Sequence, residues 1–410
     1  MKKFDIPVIY RSPLITAIKN KRRQNDKLKK DFLPSFLDFG DVRIYLARHF
    51  GFCYGVENAI EISFRTIEEN PGKKIYLLSE MIHNPHVNED LKSRGVEFLM
   101  DTKGNTLIPF ENLSAGDIVL IPAFGTTLQI EKKLKDIGVE IEQYNTTCPF
   151  VEKVWNRAQA IAKNNYTIII HGKPQHEETR ATFSHSAINS HTVVVKDMEQ
   201  AIELSAYILG NNDHEKFYTQ FAGQYSENFN VERDLQRIGV VNQTTMLASD
   251  TQAIADFLKN IMIKKYGLQD TDIVERFADT RDTLCYATYE NQGAVYGLLE
   301  TDADLAIVVG GYNSSNTSHL VELCETKLPT YFIRSEEEII SSKEIKHFNL
   351  HKKEEVTTIS YLPEKKPVRI LITSGASCPD ALVEGVINKI TGFFKVSKTS
   401  SDIIKEFSSL

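Results

Sequence analysis

The chain has 410 residues, of which 41% are hydrophobic and 25% are charged. This composition is typical of a globular protein, and about 150 residues per domain predicts two or three domains. The formal net charge of −7 argues against a general nucleic-acid binder, which needs clustered Lys and Arg. No apolar run approaches the roughly 20 residues of a membrane helix, and the first residues lack the apolar core of a signal peptide. We therefore expect a cytoplasmic protein, with no nucleic acid and no membrane as a partner.

A basic segment lies at residues 19–30, with the sequence KNKRRQNDKLKK. Runs of charge are usually solvated, so a solvated N-terminal segment is the favoured interpretation. Docking of an acidic partner protein is the alternative. Residues 1–41 as a whole contain no recognisable chemical motif and are interpreted as an N-terminal extension.

A short β-branched run, a polar or glycine-rich loop and an amphipathic helix recur from residue 42 onward. The first three runs are VRIYL (42–46), KIYLL (74–78) and DIVLI (117–121). This alternation predicts parallel strands joined by crossover helices. Two further sets of three runs follow, namely VEIEQY (139–144), YTIII (166–170) and IGVV (238–241), then DIVERF (272–277), LAIVV (305–309) and VRILI (368–372).

The three sets predict an α/β protein made of three pseudo-repeated domains with mostly parallel sheets. These domains cover residues 42–138, 139–271 and 272–391, and a C-terminal tail follows at 392–410. The polar stretch at 211–237 is interpreted as an insertion, and the charged stretch at 341–366 as a linker.

Each set opens with a loop that contains a cysteine: Cys53, Cys148 or Cys285. Ligands of open α/β sheets bind at the carboxyl ends of the strands, so the three loops are expected to converge. Three thiolates that hold a cubane iron–sulfur cluster leave one iron open, and that iron can act as a Lewis acid while the cluster delivers electrons. The alternative for any single cysteine is a small buried hydrophobe, which is our interpretation of Cys324. Cys378 lies in the loop TSGASCPD and is a candidate for lining the site.

Polar loops precede several of the predicted helices. Helix N-termini favour phosphate, so these loops predict a phosphorylated or diphosphorylated small substrate. Helix capping is the alternative role for their Ser, Thr and Asn side chains. No P-loop and no GxGxxG after a strand is present, so a nucleotide cofactor is not expected. The loop residues of interest are His83, His176, Glu178, Thr244, Ser314, Ser315, Asn316 and Ser377.

Glu178 is the candidate proton donor. Burial of a carboxyl group in a closed pocket raises its pKa and allows it to donate a proton near neutral pH. The alternative is a solvated glutamate in the first turn of a helix, where the helix dipole favours negative charge.

Motifs spread over residues 42–390 resemble those of the 4-hydroxy-3-methylbut-2-enyl diphosphate reductase family. PAFGTT, HGKPQHEET and the polar insertion are more similar to the cyanobacterial and plant branch than to the short enterobacterial form. The motifs that carry the resemblance are, in chain order, GFCYGVENAI, MIHNPHVN, TTCPFVEKVW, HGKPQHEET, NQTTM, CYAT, NSSNTS and GASCPD.

The resemblance implies a trefoil of three α/β domains around a central [4Fe-4S] cluster, which has three Cys ligands and an open fourth iron. It implies an iron–sulfur oxidoreductase that removes the hydroxyl of a small allylic diphosphate with two electrons and two protons. The products are isopentenyl diphosphate and dimethylallyl diphosphate, in the last step of the methylerythritol phosphate pathway of isoprenoid biosynthesis. A ferredoxin or flavodoxin is the implied electron donor.

Carried over by motif, the resemblance makes Cys53, Cys148 and Cys285 the cluster ligands. Thr244 would contact the substrate hydroxyl, and Glu178 would relay the proton. Many family members have a histidine where this chain has Phe124; closure of the pocket by Phe124 and charge supplied by Lys173 are the two alternatives. The diphosphate would be held by His83, His176, Ser314, Ser315, Asn316 and Ser377.

Two other functions fit the residues. A non-redox hydratase or dehydratase would use the open iron as a Lewis acid and would not depend on an external reductant. An iron–sulfur sensor that binds a phosphorylated ligand would not need the Glu178 carboxyl or the Thr244 hydroxyl.

Overall fold

The computed structural model describes residues 4–269, 271–278 and 283–408. The strands of these residues are β1 Ser35–Asp38, β2 Val42–Leu46, β3 Ile75–Leu77, β4 Glu97–Phe98, β5 Ile118–Leu120, β6 Thr167–His171, β7 Thr192–Val195, β8 Ile238–Asn242, β9 Leu305–Val309, β10 Thr330–Ile333, β11 Glu344–Asn349, β12 Glu354–Ile359 and β13 Val368–Ser374. The helices are α1 Pro13–Asn25, α2 Tyr54–Glu69, α3 Pro85–Ser93, α4 Leu128–Ile137, α5 Pro149–Ala162, α6 Glu177–Ala187, α7 Met198–Leu209, α8 His214–Gln220, α9 Val231–Asp234, α10 Ala248–Tyr266, α11 Tyr286–Leu299, α12 Ser315–Glu325, α13 Asp380–Thr391 and α14 Ser400–Ser408.

The chain divides into two compact units. Unit 1 comprises Met1–Glu57, His83–Val87 and Tyr286–Leu410, and unit 2 comprises Asn58–Ile82 and Asn88–Cys285.

Unit 1 contains a five-stranded sheet in the order β1-β2-β13-β9-β10. All neighbouring strands are parallel except β1, which pairs antiparallel with β2 at the edge. Every residue of β9 is buried, as expected for a central parallel strand covered on both faces. A separate antiparallel hairpin is formed by β11 and β12.

Unit 2 contains two parallel three-stranded sheets, in the orders β4-β3-β5 and β7-β6-β8. The β7-β6-β8 sheet has an apolar core on each face, one that includes Ile169, Val193 and Val240 and one that includes Ile168 and Ile170. Because both faces of the sheet are covered, β6 contains consecutive apolar residues, Ile168 to Ile170. The α/β class with mostly parallel sheets is thus confirmed.

Seven of the nine predicted strands are confirmed, with ends shifted by two residues at most. The prediction is wrong for 139–144, which contacts the sheet only through single bridges from Glu140 to Ile118 and from Asn145 to Ile121. It is also wrong for 272–277, where a 3-10 turn at Ile273–Glu275 replaces the strand. Both segments carry charged residues between their apolar ones, so neither is the uniformly apolar segment that a buried parallel strand requires.

The first predicted set does not form one sheet. Strand β2 pairs with β13, a strand of the third predicted set, whereas β3 and β5 pair with each other in unit 2. Sequence periodicity identifies a strand but does not select its partner, and here the partner lies more than 300 residues away. The domain boundaries 42–138, 139–271 and 272–391 stay predictions.

The segments that interrupt the repeat are structured. The N-terminal extension supplies α1 and β1, and the C-terminal tail supplies α14, which packs on α1. The predicted linker forms the β11–β12 hairpin, and the predicted polar insertion forms α8 and α9. None of the helices in the described ranges is long and apolar enough to cross a bilayer. The cytoplasmic location stays a prediction.

Candidate active site

Cys148 lies in unit 2 at the N-cap of α5, and its backbone N–H donates to the Ala123 carbonyl at 2.9 Å. Burial raises the pKa of the Cys148 thiol to about 12, against the opposing effect of the Phe150 backbone N–H. The nearby Cys285 thiol contributes to this rise in pKa. Two of the predicted cluster ligands are therefore electrostatically coupled within one unit.

These two thiols fit an iron–sulfur cluster. A buried thiolate is unfavourable unless a cation compensates its charge, and iron provides that charge. Backbone N–H groups of Phe150 and Val151 point to the Cys148 sulfur, as hydrogen bonds to cluster sulfurs do. Within the described ranges no three His, Cys, Asp or Glu side chains are spaced to hold a single metal ion. Ligands of a cluster bind separate irons, so their sulfurs lie farther apart than the ligands of one ion.

Cys53 lies in unit 1, in the loop between β2 and α2. Its backbone N–H donates to the Ala376 carbonyl at 3.1 Å, and its own carbonyl accepts the Glu57 N–H at 2.9 Å. The first bond ties the cysteine loop to the loop that follows β13, at the carboxyl end of the sheet. The Cys53 thiol is half-buried, and none of the five cysteines forms a disulfide with another.

Cys324 and Cys378 are the other two cysteines, and both are fully buried. Burial raises the pKa of each thiol to about 12. Cys324 faces the core from α12, which confirms its interpretation as a small hydrophobe. Cys378 donates weakly to the Pro379 carbonyl at 3.6 Å and presents no accessible surface for lining a site.

Glu178 and Thr244 are brought together in unit 2. The Glu178 carboxylate accepts the Thr244 backbone N–H at 2.5 Å and the Thr244 hydroxyl at 2.9 Å. Glu178 is 1% exposed and Thr244 is 5% exposed, so the alternative of a solvated glutamate is wrong. The charge of Glu178 raises the pKa of the Cys148 thiol, so this carboxyl lies near Cys148.

The neighbouring Glu177 is held differently. Its carboxylate accepts the hydroxyl of Ser79, from the loop after β3. His176 caps the same helix and accepts the Glu178 backbone N–H through Nδ1 at 3.2 Å. The Phe124 ring meets the His176 ring edge-on, with 5.6 Å between the ring centroids. Phe124 therefore packs against a predicted diphosphate ligand, whereas Lys173 is exposed.

Unit 1 gathers the other predicted substrate ligands, all of them buried: His83, Ser314, Ser315, Asn316 and Ser377. The Ser377 hydroxyl donates to the His83 carbonyl at 3.2 Å. The Ser314 hydroxyl accepts the Thr317 N–H at 3.2 Å, so Ser314 does act as the N-cap of α12.

Two buried side-chain amides in unit 1 have an Nδ2 atom without a hydrogen-bond acceptor among the described residues. Asn316 accepts the Ala376 N–H through Oδ1 at 2.9 Å, but its Nδ2 is buried without an acceptor. The Nδ2 of Asn84 is likewise buried without an acceptor among the described residues. An unsatisfied buried donor costs about 1–3 kcal/mol, so both groups are suited to an anionic ligand. Asn84 is absent from the predicted ligands, although the polar loop IHN was the signal that could have included it.

Asn242 and Gln243 also organise the site. Gln243 accepts the Lys173 backbone N–H at 3.1 Å and the Thr179 hydroxyl at 3.0 Å, which joins the loops after β6 and β8. The Asn242 side chain accepts the Thr283 hydroxyl, which fixes the Cys285 loop at the end of β8. Residues 279–282 of the predicted loop ADTRDTLCYAT lie outside the described residues.

Comparison with known proteins agrees with these features. The LytB protein family matches residues 44–391. A 4-hydroxy-3-methylbut-2-enyl diphosphate reductase of Picosynechococcus sp. is 43% identical over 86% of this chain and 84% of its own. The enzyme of the same name from Microcystis aeruginosa is 40% identical over 94% of this chain and 90% of its own.

Solved structures share the fold. The E-1-hydroxy-2-methyl-but-2-enyl-4-diphosphate reductase of Plasmodium falciparum has a TM-score of 0.62 and 22% identity, over 90% of this chain and 100% of the other. A structure described as (E)-4-hydroxy-3-methyl-but-2-enyl diphosphate reductase has a TM-score of 0.50 and 24% identity, over 85% of this chain and 99% of the other. The extent of the family match and the identity to curated relatives show that the chain belongs to the LytB protein family, together with the cyanobacterial 4-hydroxy-3-methylbut-2-enyl diphosphate reductases.

Proposed function

We propose that the chain is an iron–sulfur oxidoreductase that reduces 4-hydroxy-3-methylbut-2-enyl diphosphate to isopentenyl diphosphate and dimethylallyl diphosphate. This is the last step of the methylerythritol phosphate pathway of isoprenoid biosynthesis. Two electrons and two protons enter, the allylic C–O bond breaks, and the hydroxyl leaves as water. Family membership supports the reaction, since the similar curated relatives carry the name of this enzyme.

The observation that carries the proposal is the buried pair of Glu178 and Thr244. The Thr244 hydroxyl contacts Glu178 Oε2 at 2.9 Å, so a proton can pass from the carboxyl through the hydroxyl to a substrate oxygen. The carboxylate left behind accepts the Thr244 backbone N–H, which stabilises the negative charge. This arrangement favours the departure of water more than the binding of the alcohol.

Cys53, Cys148 and Cys285 would hold one [4Fe-4S] cluster with an open fourth iron. When bound, the cluster supplies the two electrons one at a time and a Lewis acid for the hydroxyl oxygen. The Cys148 thiol supports this role, because burial and the nearby Cys285 raise its pKa and so disfavour its thiolate in the absence of a cation.

The diphosphate would be bound by His83, His176, Ser314, Ser315, Asn316 and Ser377. The buried Nδ2 of Asn316, which has no protein acceptor, supports this assignment. The packing of Phe124 on His176 favours the alternative in which Phe124 closes the pocket and orients a ligand. The electrons would come from a ferredoxin or a flavodoxin, oxidised as the cluster is reduced.

The test is an anaerobic assay of reconstituted protein with the allylic diphosphate and reduced methyl viologen. We expect viologen oxidation that depends on substrate, with two viologens consumed for each product. Product formed without a reductant would instead identify a hydratase or dehydratase. Tight substrate binding without any product would identify an iron–sulfur sensor.

A further inference from the structure

We propose that an acidic electron-transfer protein docks on a surface of unit 1 formed by residues 27–33 and helix α11. The proposal rests on the proposed function, because a two-electron reduction needs an external donor. We call this surface the donor face and define it by its exposed residues, which are Lys27, Leu28, Lys30, Leu33, Tyr289 and Tyr296.

Hydrogen bonds hold the backbone of the loop that carries the donor face in a defined conformation. It begins at Asp26, directly after α1, and the Asp26 carboxylate accepts the N–H groups of Lys30 at 3.2 Å and Asp31 at 2.9 Å. Lys29 adopts a φ of +53°, a conformation that is uncommon outside glycine and that this turn holds in place. The exposed side chains beside Lys29 are therefore presented on a defined backbone.

The same loop is seated on helix α11. The Lys29 ammonium binds the Glu290 carboxylate at 3.0 Å. The Phe32 backbone approaches Gly297 so closely that a Cβ there would lie 2.3 Å from the Phe32 carbonyl oxygen. The Phe32 ring covers Gly293 in the same way, at 2.9 Å. Loop and helix thus form one continuous surface.

The charge of this region is opposite to that of the whole chain. Residues 19–30 contain seven cations and one anion, in a chain of net charge −7. Lys19, Arg22 and Lys29 are paired with carboxylates of unit 1. Arg23, Lys27 and Lys30 are exposed and have no ion-pair partner within the described ranges. Such a cationic patch steers an acidic protein by long-range attraction.

Apolar side chains lie beside these cations. Leu28 is 75% exposed and Leu33 is 64% exposed, and on α11 Tyr289 is 60% and Tyr296 is 50% exposed. Tyr289, Gly293 and Tyr296 share one face of the helix by their i, i+4, i+7 spacing. Aromatic and apolar residues with a charged rim are the composition of a protein interface, and electron-transfer interfaces are small.

The donor face is also connected to a predicted cluster ligand. The Lys29 ammonium lies 5.6 Å from the centroid of the Tyr286 ring, below the loop. The Tyr286 hydroxyl accepts the backbone N–H of Tyr54 at 3.1 Å, and Tyr54 directly follows Cys53. These contacts connect the donor face, through Tyr286, to the backbone beside Cys53.

The test compares Lys27→Glu/Lys30→Glu with the matched control Lys343→Glu/Lys352→Glu. The control makes the same charge change at exposed lysines of the β11–β12 region that have no ion-pair partner among the described residues. The probe is a small acidic [2Fe-2S] ferredoxin, and basic cytochrome c serves as a control probe. Binding is measured by calorimetry at low salt, with protein that contains the reconstituted cluster. Turnover is measured with reduced ferredoxin, which gives one electron per molecule, and separately with reduced methyl viologen.

We expect the donor-face variant to raise the Kd for ferredoxin about ten-fold or more and to lower ferredoxin-driven kcat/KM by a similar factor. Viologen-driven turnover should be unchanged, and the control variant should bind ferredoxin like the wild type. A Leu28→Ser/Tyr289→Ser variant should weaken binding without altering its salt dependence.

Equal Kd values for the donor-face and control variants would overturn the proposal. Tight binding of cytochrome c would also overturn it. So would a wild-type dimer, seen by sedimentation, that the Lys27→Glu/Lys30→Glu change dissociates, because the donor face would then bind a second copy of the chain. If the wild type showed no viologen-driven turnover, the proposed function would be refuted. The binding measurement would still test the donor face.

Discussion

Glu178, in the first turn of α6, and Thr244, in the loop after β8, are 66 residues apart and meet in a buried hydrogen-bonded pair. The position of both residues just beyond predicted parallel strands made their proximity predictable, because carboxyl ends of such strands share one edge of a sheet. Their burial was not predictable, because it depends on packing of the surrounding loops. The unpaired amide groups of Asn84 and Asn316 are likewise visible only in three dimensions.

We predict that Glu178→Gln lowers kcat about 100-fold or more, because the amide cannot supply the proton. Iron content should stay at the wild-type value. The measurement is viologen-driven turnover at saturating substrate, with Glu177→Gln as the control, since the Glu177 carboxylate is bound to Ser79 instead of Thr244. Abolition of turnover by Glu177→Gln alone would show that the wrong glutamate has been assigned.

Asn316→Asp should weaken diphosphate binding. The change keeps the Oδ1 that accepts the Ala376 N–H and replaces the unpaired Nδ2 with a carboxylate oxygen that repels phosphate. We expect KM to rise about ten-fold or more, from the loss of one charge-assisted hydrogen bond. Asn313→Asp is the matched control, because Asn313 is exposed three residues earlier, in the loop that precedes α12. An equal KM in the two variants would contradict the assignment of Asn316.

His49 should make the protein sensitive to mild acid. Burial, together with the adjacent Arg48, lowers the pKa of His49 from 6.5 to about 4. Below pH 6.5 the unfolded chain takes up a proton that the folded chain does not, so stability falls as pH drops from 6.5 to 4. The slope from this one group is at most about 1.4 kcal/mol per pH unit.

Thermal denaturation of wild type and His49→Gln between pH 7 and pH 4.5 is the measurement for this group. The difference in melting temperature between the two proteins should shrink or reverse toward low pH, because the glutamine does not titrate. A difference that is constant with pH would show that His49 is not held neutral by the fold.

At the scale of elements, buried parallel strands were the most predictable feature. Strand β9 is apolar at every position and β6 contains three consecutive isoleucines, because both faces of each strand are covered, and such runs stand out in a sequence. The segment 139–144 alternates apolar and charged residues and contacts its sheet only through single bridges. The pairing of β2 with β13 was not predictable, since local sequence carries no information about a partner so distant in the chain.

The burial of side chains in the segment 211–237 was also not predictable from the sequence. Its many polar residues suggested an insertion without a core, yet Phe217, Phe221 and Phe229 are buried in one of the cores of unit 2. The Phe217 ring stacks on Phe221 at 4.9 Å and on Phe229 at 5.3 Å between centroids. Phe217, Phe221, Tyr225 and Phe229 recur every four positions, but the polar residues between them favoured the interpretation as an insertion.

We predict that Phe217→Ala destabilises unit 2 by about 3–5 kcal/mol, because the cavity replaces a fully buried ring. The exposed Ile188→Ala is the control and should change stability by less than about 0.5 kcal/mol. Calorimetric unfolding of both variants checks the prediction. Similar melting temperatures for the two variants would show that the insertion does not contribute to the core.

At the scale of the whole molecule, the family was predictable because its motifs are distributed from Cys53 to Cys378 in a fixed order. The matched residues 44–391 confirm that extent. The motifs predicted residue types at the ends of strands, and the structure adds the local partners of each. Charge asymmetry between residues 19–30 and the rest of the chain was also visible in sequence, but the seating of that segment on α11 was not.

In the proposed function, Cys53, Cys148 and Cys285 would together hold one [4Fe-4S] cluster. The most direct test is iron and sulfide analysis with EPR of anaerobically prepared protein, comparing the wild type with Cys53→Ser, Cys148→Ser and Cys285→Ser, and with Cys324→Ser as the control. We predict a full cubane in the wild type and in the control, and its loss in each of the other three variants. Zinc or no metal in properly reconstituted wild type, or a cubane that survives all three substitutions, would contradict the claim.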